Sequence, residues 1–456
     1  MPRPASALTP LWLGRMEMEL RRLAGPLLKG AGRGLLSITF EVPMAPLPPP
    51  AEEPHWFYWR HPLTAHTLLG VGEALRLEAS GEERLARLNH RLSLLRERWT
   101  RIDQGCAAPL ARAFLGFAFD PQDSLQGPWR GFPNLAWVVP RLLLEWRDEG
   151  CTLTFSHAHR EGLSREAVVS RWLADLHRLM NPAPAAEHRP RRVQVEQSPP
   201  ADQWLAAVQA AVKAMTDGEA LQKVVLSRRL ELVFDGPPRA DRLLERLADD
   251  FSEAFLLGAR FGGPTLVAAT PERLVGVRGE GVRSDAIAGT RPRGDDLADP
   301  AMRLHEHRPV VDAIASALAP WCRHLEVAPA PATLKLGELA HLRTTVQGRL
   351  KQGVGLFDLL PSLHPTPAVG GVPRHLACHW IRTHEEASRG WYTGAFGWVG
   401  ADHHQADLAV VLRCGLLDGP RAILFAGAGI TAVSHPHIEL EETRLKFRAL
   451  GDRLPQ

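Results

Sequence analysis

The sequence predicts an α+β fold, because segments with the character of strands are separated by isolated amphipathic helices without a regular alternation of the two. The chain has 456 residues, of which 45% are hydrophobic and 23% are charged, as in ordinary globular proteins. A chain of this length can bury a large core. Length alone suggests two or three domains, although single large folds of this size exist.

The first part of the chain carries one predicted helix and a group of predicted strands. Apolar residues at helical spacing predict a helix over residues 84–99. Mostly apolar runs predict strands over residues 114–120, 135–147 and 151–157. Residues 46–54 form a proline-rich connector, and residues 181–200, with five prolines and little apolar content, are the best candidate for a linker.

The same mixture of elements returns after residue 200. Helical spacing predicts helices over residues 201–215 and 307–322. Strands are predicted over residues 223–234, 254–261, 265–278, 394–400, 408–417 and 421–427. A last helix begins near Pro436, with Ser434 as its predicted N-cap. Its predicted buried stripe consists of Leu440, Thr443, Phe447 and Leu450.

Another face of this last helix carries a cluster of charges. Glu439 and Glu442 are three residues apart, and Glu442 and Lys446 are four apart, so their side chains are neighbours. Such clusters usually form a solvated helix face. They can also bind a hard cation, because Mg²⁺ takes one or two protein carboxylates and completes its shell with water and substrate oxygens. The helix alone leaves both interpretations open.

Lysine is scarce in this sequence, which makes each lysine informative. Of 54 basic residues only six are lysines. The pKa of a lysine can be lowered until it acts as a base, whereas arginine stays protonated. Lys223 opens the predicted strand 223–234 and shares one face of it with Val225 and Ser227. On local grounds alone, a solvent-facing lysine is the simpler interpretation.

Composition and motifs argue against several classes of protein. A net charge of +3 is too small to predict a nucleic acid or an anionic membrane as partner. Five scattered cysteines without a CxxC pair, early charged residues and the lack of a long apolar run predict a cytoplasmic protein.

The histidine pairs of the sequence lack the spacing of zinc ligands. GAGITA, residues 427–432, lacks the following strand of a dinucleotide site, so its glycines are expected to turn sharply or to approach a ligand.

Three further segments are weak signals on their own. Glu272 follows a predicted strand in a Thr-Pro-Glu turn, where an ordinary turn carboxylate would also fit. Glu306 lies at the start of the helix predicted from residue 307, where an acidic residue is favoured in any case. Residues 285–294 form a loop rich in glycine and arginine that can present backbone N–H groups and positive charge to an anion.

Taken in order, these segments resemble the chorismate-binding enzymes, which include isochorismate, salicylate, anthranilate and aminodeoxychorismate synthases. Nine segments between about residues 198 and 450 carry the resemblance: LQKVVLSR, ATPERLV, AIAGTRPRG, EHRPVVDAI, LHPTPAVGG, RGWYTGAFGW, VVLRC, FAGAGI and ELEETRLK. The upstream segments FYWRHP, FLGFAFD and GPWRGFPNLAWVVP look more loosely like the N-terminal half of the isochorismate synthases of menaquinone pathways.

The resemblance implies two sheets packed face to face with helices outside. Residues 1–190 would form an N-terminal half that contributes to this common core, and residues 198–450 would form the catalytic region. The resemblance further implies chorismate as substrate, Mg²⁺ as cofactor and a monomer. It implies no nucleic-acid or membrane partner and no glutamine amidotransferase subunit.

Roles for individual residues follow from the same resemblance. Lys223 would be the general base, and Glu272 the general acid, whose pKa should therefore be raised. Glu306 and Glu442 would hold Mg²⁺, with Glu439 in support and Glu441 as a solvated bystander. The implied substrate-binding residues are Gly289, Thr290, Tyr392, Arg413, Gly429 and Lys446.

Four positions separate the members of the family. Lys223 stands where anthranilate synthases have glutamine, and Ala288 stands where aminodeoxychorismate synthases have lysine. Ala368 and Leu412 are apolar, as in members that stop at isochorismate, whereas members that eliminate pyruvate typically carry threonine in place of Ala368. The resemblance thus implies an isomerase that makes isochorismate. The N-terminal part of the resemblance favours menaquinone biosynthesis, while siderophore biosynthesis stays an open alternative. A salicylate synthase, an aminating member and a chorismate-binding protein without catalysis are the alternatives.

Overall fold

Two β-sheets pack face to face, with helices on their outer faces, as the sequence predicts. The computed structural model describes residues 10–30, 34–104, 111–148, 150–159, 163–182, 190–218, 220–292, 307–337 and 339–456. The described helices are α1 (Pro10–Gly30), α2 (Arg84–Arg96), α3 (Arg165–Met180), α4 (Ala201–Thr216), α5 (Ala240–Asp250), α6 (Arg308–Leu318), α7 (Leu356–Leu363), α8 (Arg374–His384) and α9 (Pro436–Gly451).

The predicted strands are found, but three of them, over residues 135–147, 265–278 and 408–417, are each divided into two strands. The strands of the first part of the chain are β1 (Leu35–Val42), β2 (His55–Arg60), β3 (Thr67–Val71), β4 (Leu75–Ala79), β5 (Trp99–Gln104), β6 (Arg112–Phe117), β7 (Leu135–Val139), β8 (Leu142–Arg147), β9 (Gly150–Ala158) and β10 (Arg192–Ser198). The later strands are β11 (Lys223–Phe234), β12 (Phe255–Phe261), β13 (Thr265–Thr270), β14 (Arg273–Arg278), β15 (Gly281–Pro292), β16 (Cys322–Val327), β17 (Ala332–Leu336), β18 (Leu339–Leu350), β19 (Gly371–Val372), β20 (Ala395–Gly400), β21 (Gln405–Val410), β22 (Cys414–Asp418) and β23 (Arg421–Thr431).

Both sheets combine strands from distant parts of the sequence. The larger described sheet has 13 strands in the order β10-β11-β23-β22-β13-β12-β2-β3-β8-β9-β1-β5, with β19 beside β11. The smaller has ten, in the order β16-β18-β15-β14-β21-β20-β6-β7-β4, with β17 beside β18. Phe57 of β2 lies opposite Ala259 of β12, and Phe114 of β6 lies opposite Trp398 of β20. The predicted division between residues 190 and 198 stays a prediction.

Aromatic side chains fill the space between the sheets. The rings of Phe57 and Phe114, one from each sheet, stack with their centroids 5.4 Å apart, and Phe396 stacks on Phe114 at 5.9 Å. Successive residues of a strand point to opposite faces, so Trp56 packs outward in the cluster that contains Leu247 of α5. Fully burying one such phenylalanine contributes roughly 1.5–3 kcal/mol, so this layer holds the two sheets together.

Three expectations about chain breaks are wrong. The expected loop at residues 285–294 is strand β15 as far as Pro292, because it pairs with β18, and residues 293 and 294 lie outside the described part of the chain. Residues 192–198 form β10 rather than a linker, because their backbone pairs with β11. Gly427 and Gly429 lie inside β23, where they pair with Ser227 and Val225, so the sharp turn is wrong, whereas their other expected role, close approach to a ligand, stays a prediction.

The predicted helix near Pro436 is confirmed, except for its cap. All four residues of the predicted stripe are buried, led by Thr443 with an exposed fraction of 0%. The N-cap is His435, not Ser434. The Ser434 hydroxyl instead accepts a hydrogen bond from the backbone N–H of Thr431 at 3.1 Å, which closes the turn after β23. No described helix is both long and apolar enough to cross a membrane.

Candidate active site

A cavity of about 740 Å³ collects most of the residues that the sequence singled out. Among its lining residues are Lys223, Glu272, Gly289, Tyr392, Arg413, Gly429, Glu439, Glu442 and Lys446. Two predicted residues cannot be placed, because Glu306 and the side chain of Thr290 lie outside the described part of the chain. Residues more than 220 positions apart therefore meet around one space large enough for a small organic acid.

Lys223 faces this cavity rather than open solvent. It starts β11 opposite Thr431 of β23, and Val225 on the same strand face also lines the cavity. The intervening Val224 is fully buried on the other face. A Cβ atom at Gly429 would lie 2.9 Å from Cε of Lys223, so the lysine side chain uses the space that this glycine leaves open.

Glu272 is a buried carboxyl group held in the turn between β13 and β14. Its exposed fraction is 2%. The hydroxyl of Thr366 donates to Oε1 at 3.4 Å, and the backbone N–H of Val410 donates to the Glu272 carbonyl at 2.9 Å. Burial raises the pKa of Glu272 to about 8, against the lowering effects of the Thr366 hydrogen bond and the charge of Lys223. The carboxyl group is therefore mostly protonated at neutral pH and can donate a proton.

Arg413 provides a buried positive charge beside the same cavity. It lies between β21 and β22 with φ of +46°, a left-handed conformation that is costly for a residue other than glycine. Its guanidinium donates to Nε2 of His341 at 3.0 Å. Burial lowers the pKa of Arg413 to about 10, so the side chain stays cationic at neutral pH. Burial and the charges of Arg413 and Lys446 lower the pKa of His341 far below its usual range, which keeps this histidine neutral.

Helix α9 contributes the charged wall of the cavity. Nζ of Lys446 lies 2.5 Å from Oε1 of Glu442 and donates to the Gly427 carbonyl at 2.7 Å. Glu439 lines the cavity one turn earlier. Glu441 instead pairs with Arg444 on the exposed side, where its side chain is 62% exposed. The arrangement separates the two cavity carboxylates from the solvated one.

The walls between these charged groups are mainly apolar. Tyr392 is 3% exposed and stacks on Phe425 with ring centroids 5.4 Å apart. Burial raises the pKa of Tyr392, so its phenol stays neutral. Ala368 and Leu412 also line the cavity. Gly289, with φ of +74°, sits where the register between β15 and β18 shifts, a β-bulge conformation that glycine adopts without strain.

The sequence matches a family profile described as Chorismate binding enzyme over residues 35–455. The chain belongs to the family of chorismate-binding enzymes. This confirms the resemblance on which the predicted site rests.

Several relatives of this chorismate-binding enzyme match most of its length. It is 32% identical over 417 residues to isochorismate synthase MenF of Bacillus subtilis, covering 86% of each chain. It is 34% identical over 414 residues to the salicylate biosynthesis isochorismate synthase of Pseudomonas aeruginosa, covering 87% of this chain and 84% of the relative.

Solved structures show the same fold. The menaquinone-specific isochorismate synthase MenF of Escherichia coli superposes with a TM-score of 0.79 at 24% identity, covering 96% of this chain and 99% of that one. Anthranilate synthase component I of Streptococcus pneumoniae gives 0.70 at 22% identity, covering 85% of this chain and 92% of that one. At these identities the likeness concerns the fold of the chorismate-binding enzyme.

The carboxylates of α9 suit a magnesium ion in this chorismate-binding enzyme. Glu439 and Glu442 reach one cavity from one helix, and the Glu442 side chain is 28% exposed there. No group of three or more potential metal-ligating side chains occurs in the described residues. Mg²⁺ requires no such cage, because one or two carboxylates suffice when water and substrate oxygens complete its shell.

Three residues of the site were missed by sequence reasoning. His341 faces Arg413 from β18, Thr366 bonds Glu272, and Arg389 is buried behind β11. His341 is an isolated histidine between Ala340 and Leu342 and gives no functional signal of its own. Thr366 and Arg389 lie in the LHPTPAVGG and RGWYTGAFGW segments, so the segments were found while these residues were given no role.

Proposed function

We propose that this chorismate-binding enzyme is an isochorismate synthase, which reversibly isomerises chorismate to isochorismate with Mg²⁺ as cofactor. The observation that carries the proposal is the pairing, in one cavity, of Lys223 with a buried Glu272 whose pKa is raised to about 8. The names of the two relatives at 32% and 34% identity support the same reaction.

In the proposed reaction, Lys223 removes a proton from a water molecule as the water oxygen bonds to C2 of chorismate. The ring double bonds shift, and the C4–O bond breaks. Glu272 donates its proton to the departing C4 oxygen, which leaves as water. One water is consumed and one released, so the reaction is an isomerisation. Lys223 ends protonated and Glu272 ionised, and exchange with solvent restores them. The reverse reaction exchanges the two roles.

Two further cationic side chains of the cavity lining suit a dicarboxylate substrate. Arg413 can bind one carboxylate with two parallel hydrogen bonds, and Lys446 is a second cation in the cavity lining. We assign Gly289 and Thr290, Gly429 and Tyr392 to the same task. The two glycines let the substrate lie against backbone, and the neutral Tyr392 phenol can donate a hydrogen bond.

The proposed magnesium site consists of Glu306 and Glu442, with Glu439 in support. When bound, Mg²⁺ would neutralise the ring carboxylate of chorismate and help to orient it. The chain itself contributes the carboxylates and the Lys446 ammonium, whose contact at 2.5 Å restrains the Glu442 side chain.

The experiment that tests the proposal is product analysis by proton NMR. Purified protein is incubated with chorismate with and without Mg²⁺. Isochorismate in equilibrium with chorismate, formed only with Mg²⁺, is the expected result. Salicylate and pyruvate would show instead that the apolar Ala368 and Leu412 do not prevent elimination. No turnover, even with ammonium supplied, would indicate a binding protein.

We further propose that the enzyme acts as a cytoplasmic monomer and that its product enters menaquinone biosynthesis. The relatives include enzymes named for menaquinone and for salicylate biosynthesis, so the pathway needs its own test. Expression in a bacterium that lacks menaquinone-specific isochorismate synthase should restore menaquinone, measured by mass spectrometry. Light scattering of the purified protein tests the monomer.

A further inference from the structure

A buried ion pair behind the cavity connects the parts of the chain that carry the proposed acid and base. The side chain of Arg389 is 3% exposed, and that of Glu385, four residues before it and just after the end of α8, is 10% exposed. Two hydrogen bonds join them, Nε to Oε2 at 2.7 Å and Nη2 to Oε1 at 2.5 Å. The pair lies too deep to be an ordinary surface salt bridge.

On one side the pair holds the strand of Lys223. Nη2 of Arg389 donates to the Val225 carbonyl at 2.5 Å. Glu385 accepts from the backbone N–H of Ser227 at 2.8 Å and from its hydroxyl at 2.9 Å. These contacts fix β11 two and four residues beyond Lys223, on the face that also lines the cavity.

On the other side it holds the turn formed by residues 366–370. Nη1 of Arg389 donates to the Val369 carbonyl at 3.0 Å. Within this turn, the backbone N–H groups of Val369 and Gly370 donate to the Thr366 carbonyl at 3.1 and 2.9 Å. The Thr366 hydroxyl is the donor to Glu272. One guanidinium is therefore linked to Lys223 through one contact and two residues of β11, and to Glu272 through three successive hydrogen bonds.

Planar geometry explains why arginine is suited to this position. Its donors here serve a carboxylate and two backbone carbonyls at once, and its face lies 4.6 Å from the ring centroid of Phe119. A lysine ammonium would keep the charge but could not present the same fork of donors. The charge is balanced by Glu385, so the arrangement fixes geometry without leaving an isolated buried ion.

We infer that Arg389 and Glu385 form a positioning pair that sets the distance and orientation between Lys223 and Glu272. This inference rests on the proposed function, since the proposed function assigns Lys223 and Glu272 to one reaction. Neither Arg389 nor Glu385 lines the cavity. The pair acts through β11 on the base and through Thr366 on the acid.

The principal variant is Arg389→Lys, with Arg382→Lys as matched control. Arg382 belongs to α8, pairs with Asp120 at 2.8 Å and is 42% exposed, so its replacement changes the same chemistry away from the site. In Arg389→Lys we expect kcat to fall roughly 10- to 100-fold, with KM for chorismate changed less than about threefold, because geometry rather than binding is disturbed. Arg382→Lys should behave as wild type.

A second readout does not depend on turnover. The Thr366 hydrogen bond lowers the pKa of Glu272, so loosening the turn should raise it above its value of about 8. Carbon-13 NMR of labelled glutamate, with the Glu272 resonance assigned by its loss in Glu272→Gln, follows this titration. The midpoint should rise in Arg389→Lys and also in Thr366→Val, but not in Arg382→Lys.

The outcomes separate the two proposals. A wild-type protein without turnover would refute the proposed function, whereas the Glu272 titration would still test the pair. An unchanged kcat and an unchanged midpoint in folded Arg389→Lys would overturn the inference. Should that variant not fold, Ser227→Ala removes only the hydroxyl bond to Glu385. It should then lower kcat about two- to fivefold at constant KM, and no change in kcat would equally overturn the inference.

Discussion

The two walls of the cavity differ in how firmly they hold their charged groups. The strand wall, formed by β11 and the turn that carries Glu272, holds the two proposed proton-transfer groups, of which Lys223 is half-buried and Glu272 is 2% exposed. The helix wall, formed by α9, holds Glu442 chiefly through one ion pair at 2.5 Å, with 28% of the side chain exposed. Proton transfer requires fixed distances, whereas carboxylates that exchange metal and substrate benefit from access to solvent.

The strongest test of the strand wall is replacement of its two proposed proton-transfer groups. Lys223→Ala and Glu272→Gln should each lower kcat/KM roughly 10²- to 10⁴-fold, the usual contribution of a general base or acid. Turnover is measured by proton NMR of the products, and chorismate binding by calorimetry should persist. Lys335→Ala on β17 is the matched control for charge. Retention of most activity by Lys223→Ala would mean that another group is the base.

The helix wall should respond through its metal requirement. Glu442→Gln should raise the Mg²⁺ concentration for half-maximal activity about 10- to 100-fold, because a neutral amide is a poorer magnesium ligand than a carboxylate. Glu441→Gln, one residue earlier but on the exposed side, is the control and should not change it. Equal effects of the two variants would refute a specific role for Glu442.

The strand wall can also be tested through the pH dependence of activity and stability, because it contains Glu272. Because Glu272 must be protonated to act and its pKa is raised to about 8, kcat/KM should fall about tenfold per pH unit well above pH 8. Stability should follow the same group. The folded state binds this proton more tightly than the unfolded chain, so stability is lost as pH rises from about 4.5 to about 8. The melting temperature of Glu272→Gln relative to wild type should therefore increase between pH 5 and pH 8.

The smallest expected effect concerns the space around Lys223. A methyl group at Gly429 would lie 2.9 Å from Cε of the lysine, whose flexible end can move aside. Because only this flexible side-chain end must shift, Gly429→Ala should lower kcat only about fivefold and leave the melting temperature nearly unchanged. A large loss of stability would show that backbone, not the lysine, fills this space.

The sequence predicted the elements of the helix wall better than the contacts of the strand wall. The spacing of Leu440, Thr443 and Phe447 predicted both α9 and its buried face, because one helix contains all the information. The surroundings of Glu272 could not be predicted locally, since its partner Thr366 lies 94 residues away in the chain. Likewise, Gly427 and Gly429 suggested a turn, although pairing with β11 keeps them in a strand.

The sharing of both sheets between early and late parts of the chain has a consequence for synthesis on the ribosome. Strand β6 pairs with β20, and β2 pairs with β12, so the early strands emerge long before these partners exist. At about 5–20 residues per second, β6 waits roughly 15 to 60 seconds for β20. During that time an apolar strand edge is open to other nascent chains. Expression at lower temperature or with abundant chaperones should therefore raise the soluble yield, and separately expressed halves should aggregate unless they are made together.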